Sequence, residues 1–544
     1  MHELIEKIRH SVIGHRCTIS TVFGDRPLIY ADYTASGRSL DFIEEYIRQQ
    51  VLPWYGNTHT ESSHTGARTT SLREWARNRI RAAVGGNKQD KVVFCGHGAT
   101  AAVNRLIDVL ELRARAARLP EEERPVVFIG PYEHHSNELP WRESCAELEV
   151  IPLDAEGGID LRALEQALRK HAGRSLLIGS FSAASNVTGI RSDVDTVSAL
   201  LARYGALVCW DYAAAGPYVD INMNGSTPFD AIFLSPHKFV GGPGTPGVLV
   251  AKESVFRNRI PAMVGGGTVS YVTPLDHQYV SDIERREEGG TPAIVESIRA
   301  GLVFDLQQRV GVEEIAQREA LLASRAMERL SACPGIEILG DHDAMRLPIF
   351  SLRFRYQGRE LHYGFIVALL NDLFGIQARG GCSCAGPYAH HLLGMDLTLS
   401  RRLERAVAEG QGILRPGWVR LGFNYFIDEE EFEYLLRALE LVAEHGWQLL
   451  PDYVHDDARG VWVHQEKVAA GDNASALLQP DYLGVTEAPV VYRDSLHDVL
   501  QEAERILLAA PGMDSVSDPE LALEHEDLRW FLLPGEVARP GISP

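Results

Sequence analysis

Between about residues 70 and 300 the chain alternates short, unbroken apolar runs with amphipathic stretches. VVF at 92–94, VVFI at 126–129, LLIG at 176–179, ALVCW at 206–210, AIFL at 231–234 and GVLV at 247–250 show no polar alternation. A strand that is apolar at every position is covered on both faces, which predicts an α/β layer with a mostly parallel sheet between helices. Ahead of it, the first thirty residues read as a helix and a short arm, and DRPLIYADYTASGRSL as a strand and a turn near the expected substrate pocket. YGNTHTESSHTGARTTSLREWARNRIRAAVG reads as a polar loop feeding an amphipathic helix. Its cluster His59, Ser62, Ser63, His64 and Thr65 either lines the mouth of a site or caps the helix.

Beyond residue 290, VESIRAGLVFDLQQRVGVEEIAQREALLASRAMERL predicts a long helical stretch leading into a smaller α+β domain. That domain holds strands such as IFSLRFRY and helices such as ELHYGFIVALLNDLFG. From Pro451 the pattern thins: RGVWVHQ reads as an edge strand, SLHDVLQEAERILLAA as an amphipathic helix and VAAGDNASALLQPDYLG as a loop. DYVHDD reads as a solvated acidic turn rather than a metal site. The expected division is an N-terminal arm (1–30), a large domain (31–314), a small domain (315–450) and a C-terminal extension (451–544) that covers a site, strengthens a dimer or binds an acceptor.

The polar residues that follow the apolar runs carry the candidate chemistry. Lys238, boxed in by Phe239, Val240 and the AIFL run, should lose hydration, which lowers the pKa of an amine and frees it for Schiff-base chemistry. A lysine snorkelling from a loop is the competing reading. Asp211 closes ALVCWD, where an open α/β sheet places ligand contacts, and a helix cap is its alternative. Together they match the division of labour in pyridoxal phosphate enzymes, where an acid holds the ring nitrogen and a lysine carries the aldehyde. The free amides of Gly98, Ala99 and Thr100, at a helix start, suit a phosphate. His134 and His135 stand where an imidazole can stack on a flat ring, and Asn186 where an amide can bond a cofactor oxygen. Each of these sites taken singly is also an ordinary turn after a strand.

The order of these sites, with SPHK around the lysine, resembles class V aminotransferase-fold enzymes, in particular cysteine desulfurases and selenocysteine lyases, from about Ala31 to Ile427. The resemblance implies a type I pyridoxal phosphate transferase fold working as a homodimer on an amino acid, with catalysis between two domains. Lys238 would bind the aldehyde and move the α-proton, Asp211 would pair with the ring nitrogen, and His134 would stack on the ring and assist proton transfer. Thr100, Ser235 and His237 would hold the phosphate with the amides of Gly98 and Ala99, and Thr291 would reach the partner's phosphate. Asn186, Arg379 and Arg420 would contact substrate, Arg420 as a two-donor carboxylate clamp. Cys384, in QARGGCSCAGPY, matches the family nucleophile that takes the substrate's sulfur or selenium as a persulfide and leaves alanine. A buried packing thiol is the alternative at that position. A C–S lyase, an epimerase or an aminotransferase that does not use the cysteine, and an inactive scaffold of the same fold, remain the competing functions.

The chain departs from the family pattern at three places. Ala214 stands where a glutamine usually bonds the ring oxygen, Ala99 where a phosphate-turn threonine is expected, and Cys382–Ser383 where paired histidines are common. Cys382 is a candidate second sulfur carrier, half of a local disulfide, or a metal ligand, although two thiols without further ligand spacing argue against a closed zinc site. Gly242, Gly244 and Gly247 satisfy GxGxxG, but Pro243 and Pro246 interrupt the turn and a strand follows, so no dinucleotide site is expected.

Composition narrows the partners. At 544 residues and 45% apolar the chain can bury large cores, and its 53 basic and 74 acidic residues give a net charge of −21, which disfavours nucleic acid and anionic membranes. The N-terminus MHELIEKIRHSVIGH has scattered charge and no long apolar core, so neither a leader nor a membrane span is expected there. Seven cysteines without a spacing framework point to a reducing cytoplasm. A sulfur-acceptor protein is a possible partner under the family resemblance.

Overall fold

A computed structural model describes residues 2–58, 60–113, 119–469, 489–509, 518–519 and 521–537. His59 and most of the VAAGDNASALLQPDYLG loop lie outside the described residues. The chain forms two compact units: Met1–Ile13, Tyr33–Ala320 and Asp343–Leu347 in the first; Gly14–Asp32, Leu321–His342 and Pro348–Pro544 in the second.

The first unit is built on a seven-stranded sheet: β1 (Asp90–Phe94), β2 (Val126–Ile129), β3 (Glu147–Val150), β4 (Leu177–Ser182), β5 (Leu207–Asp211), β6 (Ala231–Leu234) and β7 (Val248–Lys252). In space the order is β1-β7-β6-β5-β4-β2-β3. Parallel pairing links β3, β2, β4, β5 and β6, whereas β7 runs antiparallel to both its neighbours. Every residue of β2, β4 and β6 is buried, the two-faced covering that their unbroken apolar runs imply. The carboxyl ends of the parallel strands therefore lie along one edge, where an open α/β sheet places ligand contacts.

The polar cluster before the first long helix, His64–Ala83, acts as its cap: Ser63 Oγ accepts from Gly66 N at 3.2 Å. The long helical stretch is two helices, Ile294–Val310 and Val312–Ser331, because Gly311 sits at φ 89° and ends the first.

In the second unit, β8 (Ile336–Ile338), β9 (Ile349–Tyr356), β10 (Arg359–Leu361), β11 (Arg379–Gly381) and β12 (Trp418–Gly422) form a sheet of order β8-β9-β12-β11, with β10 on β9. Helices Tyr363–Phe374 and Glu429–His445 bury Leu369, Leu373, Leu435 and Leu439 in one core with Phe350 and Leu421 of the sheet. The C-terminal extension enters the same core: Tyr453, Trp462, Leu496, Phe531 and Leu532 are all buried in it. RGVWVHQ supplies a strand, Val461–His464, paired with Tyr453–Asp456, and SLHDVLQEAERILLAA the helix Leu496–Ala509. The early arm is a hairpin, Thr18–Thr21 with Gly24–Pro27.

Candidate active site

At the strand-end edge of the first unit, Gly98 opens the helix Gly98–Val109, and Ala99 N donates to Ser235 Oγ at 2.9 Å. Gly98 has φ +53°, and a Cβ there would lie 2.9 Å from His237 Cε1 and 3.0 Å from Ser235 Oγ. A Cβ on Gly247, in the glycine-rich bend before β7, would lie 1.9 Å from the Gly98 carbonyl oxygen. The bend that mimics a dinucleotide fingerprint thus serves to let β7 approach the helix start, forming a backbone cradle suited to an anion. Thr100 extends the cradle on its exposed side, with Oγ1 2.6 Å from Ser136 Oγ.

Lys238 is half-buried in the turn after β6. Burial lowers the His237 pKa to about 4, with the Lys238 charge adding to the effect, so the imidazole beside the cradle is neutral at physiological pH. Asp211, at the end of β5, is buried; desolvation raises its pKa, opposed by a hydrogen bond from Ala213 N at 2.7 Å and by the Lys238 charge. His134 Nδ1 accepts from Ser136 N at 3.0 Å, which fixes the proton of the neutral ring on Nε2. Asn186 is buried in the turn after β4. Thr291 is exposed: its Oγ1 lies 3.5 Å from Asn57 Nδ2, and among the described residues no hydrogen bond joins it to this cluster.

Glu133 is a member of the site that sequence reasoning missed. Its Oε1 accepts from Gly130 N (3.1 Å) and Ser182 N (2.9 Å), and its Oε2 from Asn137 Nδ2 (2.7 Å) and Ser182 Oγ (2.6 Å). The side chain thus ties the His134 turn to the end of β4. Burial pushes its pKa up to about 7 against these donors, and the Asp211 charge pushes the same way. An acid beside two histidines just past an apolar strand was the available signal.

In the second unit, Arg420 on β12 and Arg379 on β11 share one carboxylate. Asp32 Oδ1 accepts from Arg420 Nη2 and Oδ2 from Arg379 Nε, both at 2.9 Å. Arg420 is buried, and desolvation lowers its pKa, opposed by Asp32 and also by Cys384. Asp32 went unrecognised as well; its signal was an acid directly after the short strand in YADYT.

Cys384 is exposed, just beyond β11, and both Ser383 (φ 54°) and Cys384 (φ 55°) are left-handed. Non-glycine residues hold that conformation at a cost of about 1–3 kcal/mol each, and such strain concentrates at functional turns. All seven cysteines are free thiols, Cys382 and Cys384 included. Cys95 illustrates the packing type: buried, with its thiol pushed up to about 12. The exposed loop thiol is of a different kind, standing just past β11, the strand paired with the one that carries Arg420.

Known proteins resemble the chain over most of its length. A probable cysteine desulfurase of Halalkalibacterium halodurans is 27% identical over 423 residues, covering 77% of this chain and 94% of the relative. One from Staphylococcus aureus is 27% identical over 368 residues, 66% of this chain and 84% of its own. Among solved structures, the apo cysteine desulfurase from Thermococcus onnurineus NA1 superposes with a TM-score of 0.63 at 24% identity, covering 77% of this chain and 95% of its own. CsdA from Escherichia coli gives 0.61 at 22%, covering 76% and 94%. At those identities the structures speak for the fold. The family model for aminotransferase class-V matches residues 29–435, and the chain therefore belongs to the class-V aminotransferase family.

Proposed function

We propose that the protein is a pyridoxal phosphate-dependent desulfurase that takes sulfur, or selenium, from cysteine or a close analogue. The observation that carries this reading is an exposed thiol, Cys384, on a left-handed turn just past β11, the strand paired with β12 and its buried Arg420. A carboxylate clamp and a sulfur acceptor within one unit are what such a reaction requires.

The strand-end cluster suits a phosphorylated pyridine aldehyde. Gly247 lets β7 press on the Gly98 backbone and Gly98 lets the helix start meet Ser235 and His237, Asp211 is a buried acid for a ring nitrogen, and Lys238 is an amine whose charge Asp211 feels. Ser235, His237, Thr100 and the amides of Gly98 and Ala99 would hold the phosphate, the Ala99 amide exchanging Ser235 Oγ for a phosphate oxygen, and Asn186 would bond an oxygen of cofactor or substrate. When bound, the cofactor supplies an electron sink that makes the substrate α-proton acidic. Lys238 Nζ takes and returns that proton, and His134 Nε2 assists proton transfer. Arg420, with Arg379, holds the substrate carboxylate. The substrate's C–S bond breaks, Cys384 keeps the sulfur as a persulfide and alanine leaves, with no external oxidant or reductant needed.

Thr291 is exposed, as a residue serving a second copy would be. The same unit exposes Ile260, Met263, Val264, Tyr271, Val272 and Leu275, an apolar surface suited to a homodimer. Among the described residues no helix is long and apolar enough to cross a membrane. Seven free thiols fit a cytoplasmic setting.

The test is incubation of the purified chain, reconstituted with pyridoxal phosphate, with L-cysteine. Equimolar alanine and thiol-releasable sulfide are expected. Pyruvate and ammonia instead of alanine would assign a C–S lyase, and absence of cofactor binding would assign a scaffold.

A further inference from the structure

The family match ends at residue 435, yet chain beyond it packs against the cysteine loop's support. The support begins with Tyr363. A Cβ on Gly380 would lie 2.7 Å from Tyr363 Cδ2, and one on Gly417 would lie 2.8 Å from Tyr363 Cε1 and 2.7 Å from Gly381 Cα. The bare backbones of β11 and of the approach to β12 are therefore pressed on this ring. Gly381 is followed directly by Cys382, and the Tyr363 hydroxyl, raised mainly by burial, also feels the charge of Cys382.

The neighbouring side of the aromatic cluster belongs to the extension. Trp530 stacks nearly parallel to Tyr363 (ring centroids 6.1 Å, 9° between planes) and on His362 (5.2 Å, 22°). Trp530 Nε1 donates to Leu414 O at 3.0 Å. His362 is a buried hub: its Nδ1 accepts from Gly364 N and from Trp462 Nε1, both at 3.0 Å, which leaves Nε2–H to donate to Ile413 O at 3.1 Å. Leu532 N donates to Glu360 O at 2.8 Å, beside the helix that carries Tyr363. On the far side of the loop, Arg402 pairs with Asp527 (2.5 Å) and Glu409 with His525 (2.9 Å). Residues 521–537 thus grip chain on both sides of the loop, before it at 360–363 and after it at 402–414.

We infer that residues 521–537 are a built-in strap that positions the cysteine loop, with Trp530 acting through Tyr363 to set where Cys382 and Cys384 stand. Its catalytic meaning rests on the desulfurase reading; its physical content does not. Trp530 is a positioning residue in this scheme, because it touches the loop's support and not the reacting atoms.

The test measures iodoacetamide alkylation of each cysteine in the full-length apo-protein by peptide mass spectrometry. In Trp530→Ala the half-buried Cys382 should react about tenfold faster, while Cys333, buried elsewhere in the same unit, keeps its wild-type rate. Trp530→Phe, which retains a stacking ring, should stay within about threefold of wild type. A double variant, Arg402→Gln with Glu409→Gln, alters half-exposed side chains that cannot unfold the core, and should speed Cys382 by about threefold. An unchanged Cys382 rate in both Trp530→Ala and the double variant overturns the proposal. So does a Cys333 rate that rises in parallel, since Trp530 would then be only structural. In turnover, Trp530→Ala should lower kcat about tenfold at unchanged KM. If the labelling shifts but wild type releases no alanine, the reaction assignment has failed and the strap stands.

Discussion

Replacing Glu133 by glutamine keeps the shape of a side chain that joins the His134 turn to β4 and removes its charge. In the folded protein this carboxyl is pushed up to about 7 from an ordinary 4.5, because burial outweighs its four donors and Asp211 repels it. An acid whose folded pKa is raised binds more protons folded than unfolded between those values, so its contribution to stability is complete below the unfolded pKa and is lost as pH rises through the folded one. At 1.36 kcal/mol per pKa unit, a carboxyl with these values costs wild type about 2.5 kcal/mol between pH 5 and 8. Asp211, also raised by burial, acts with the same sign in both proteins and largely cancels from their difference. Urea denaturation of apo wild type and Glu133→Gln at pH 5, 6, 7 and 8 reads the effect directly. The wild-type minus variant stability should fall by about 2.5 kcal/mol across that window. Parallel curves would show that the four donors hold Glu133 ionised throughout, and the charge argument would be refuted.

Asp32→Asn leaves the buried Arg420 guanidinium without its counter-charge, so a loss of about 3–5 kcal/mol in denaturant is expected, with a raised KM for the amino acid and kcat little changed. An unchanged KM would make Asp32 structural only. Arg420→Lys keeps the charge but loses the planar fork, and KM should rise at least about tenfold in steady-state assays; wild-type KM would remove Arg420 from the carboxylate. Gly247→Ala drives a Cβ against the Gly98 carbonyl and must displace the cradle, so pyridoxal phosphate should bind at least about tenfold more weakly by fluorescence titration. Equal affinity would place the phosphate elsewhere.

What the sequence made legible follows from one physical rule. In a sheet covered on both faces, each strand is apolar throughout, so the polar residues in the turn past each run mark the edge where ligand contacts are expected. Asp211, Lys238, His134 and the Gly98 turn were visible for that reason. Asp32 was not, because its value comes from Arg420, 388 positions away, and nothing in YADYT separates an arginine-binding carboxylate from a turn residue. Glu133 was overshadowed by the two histidines it precedes, and its burial depends on donors from Ser182, 49 positions on. Gly311 sits inside a helical pattern strong enough to read through, and only its φ of 89° reveals the break. The packing of the extension was beyond reach for the same reason as Asp32: Trp530 and Tyr363 meet through the tertiary fold, and the short apolar run WFLL at 530–533 is too brief to carry a periodic signal.

The central claim is that sulfur leaves the substrate on one particular thiol. Mass spectrometry of the loop peptide from the reconstituted enzyme, quenched during turnover with L-cysteine, tests it most directly. A one-sulfur increment on Cys384, with alanine formation abolished in Cys384→Ala while the cofactor absorbance is retained, is the predicted result. Alanine formation that persists in Cys384→Ala would contradict it.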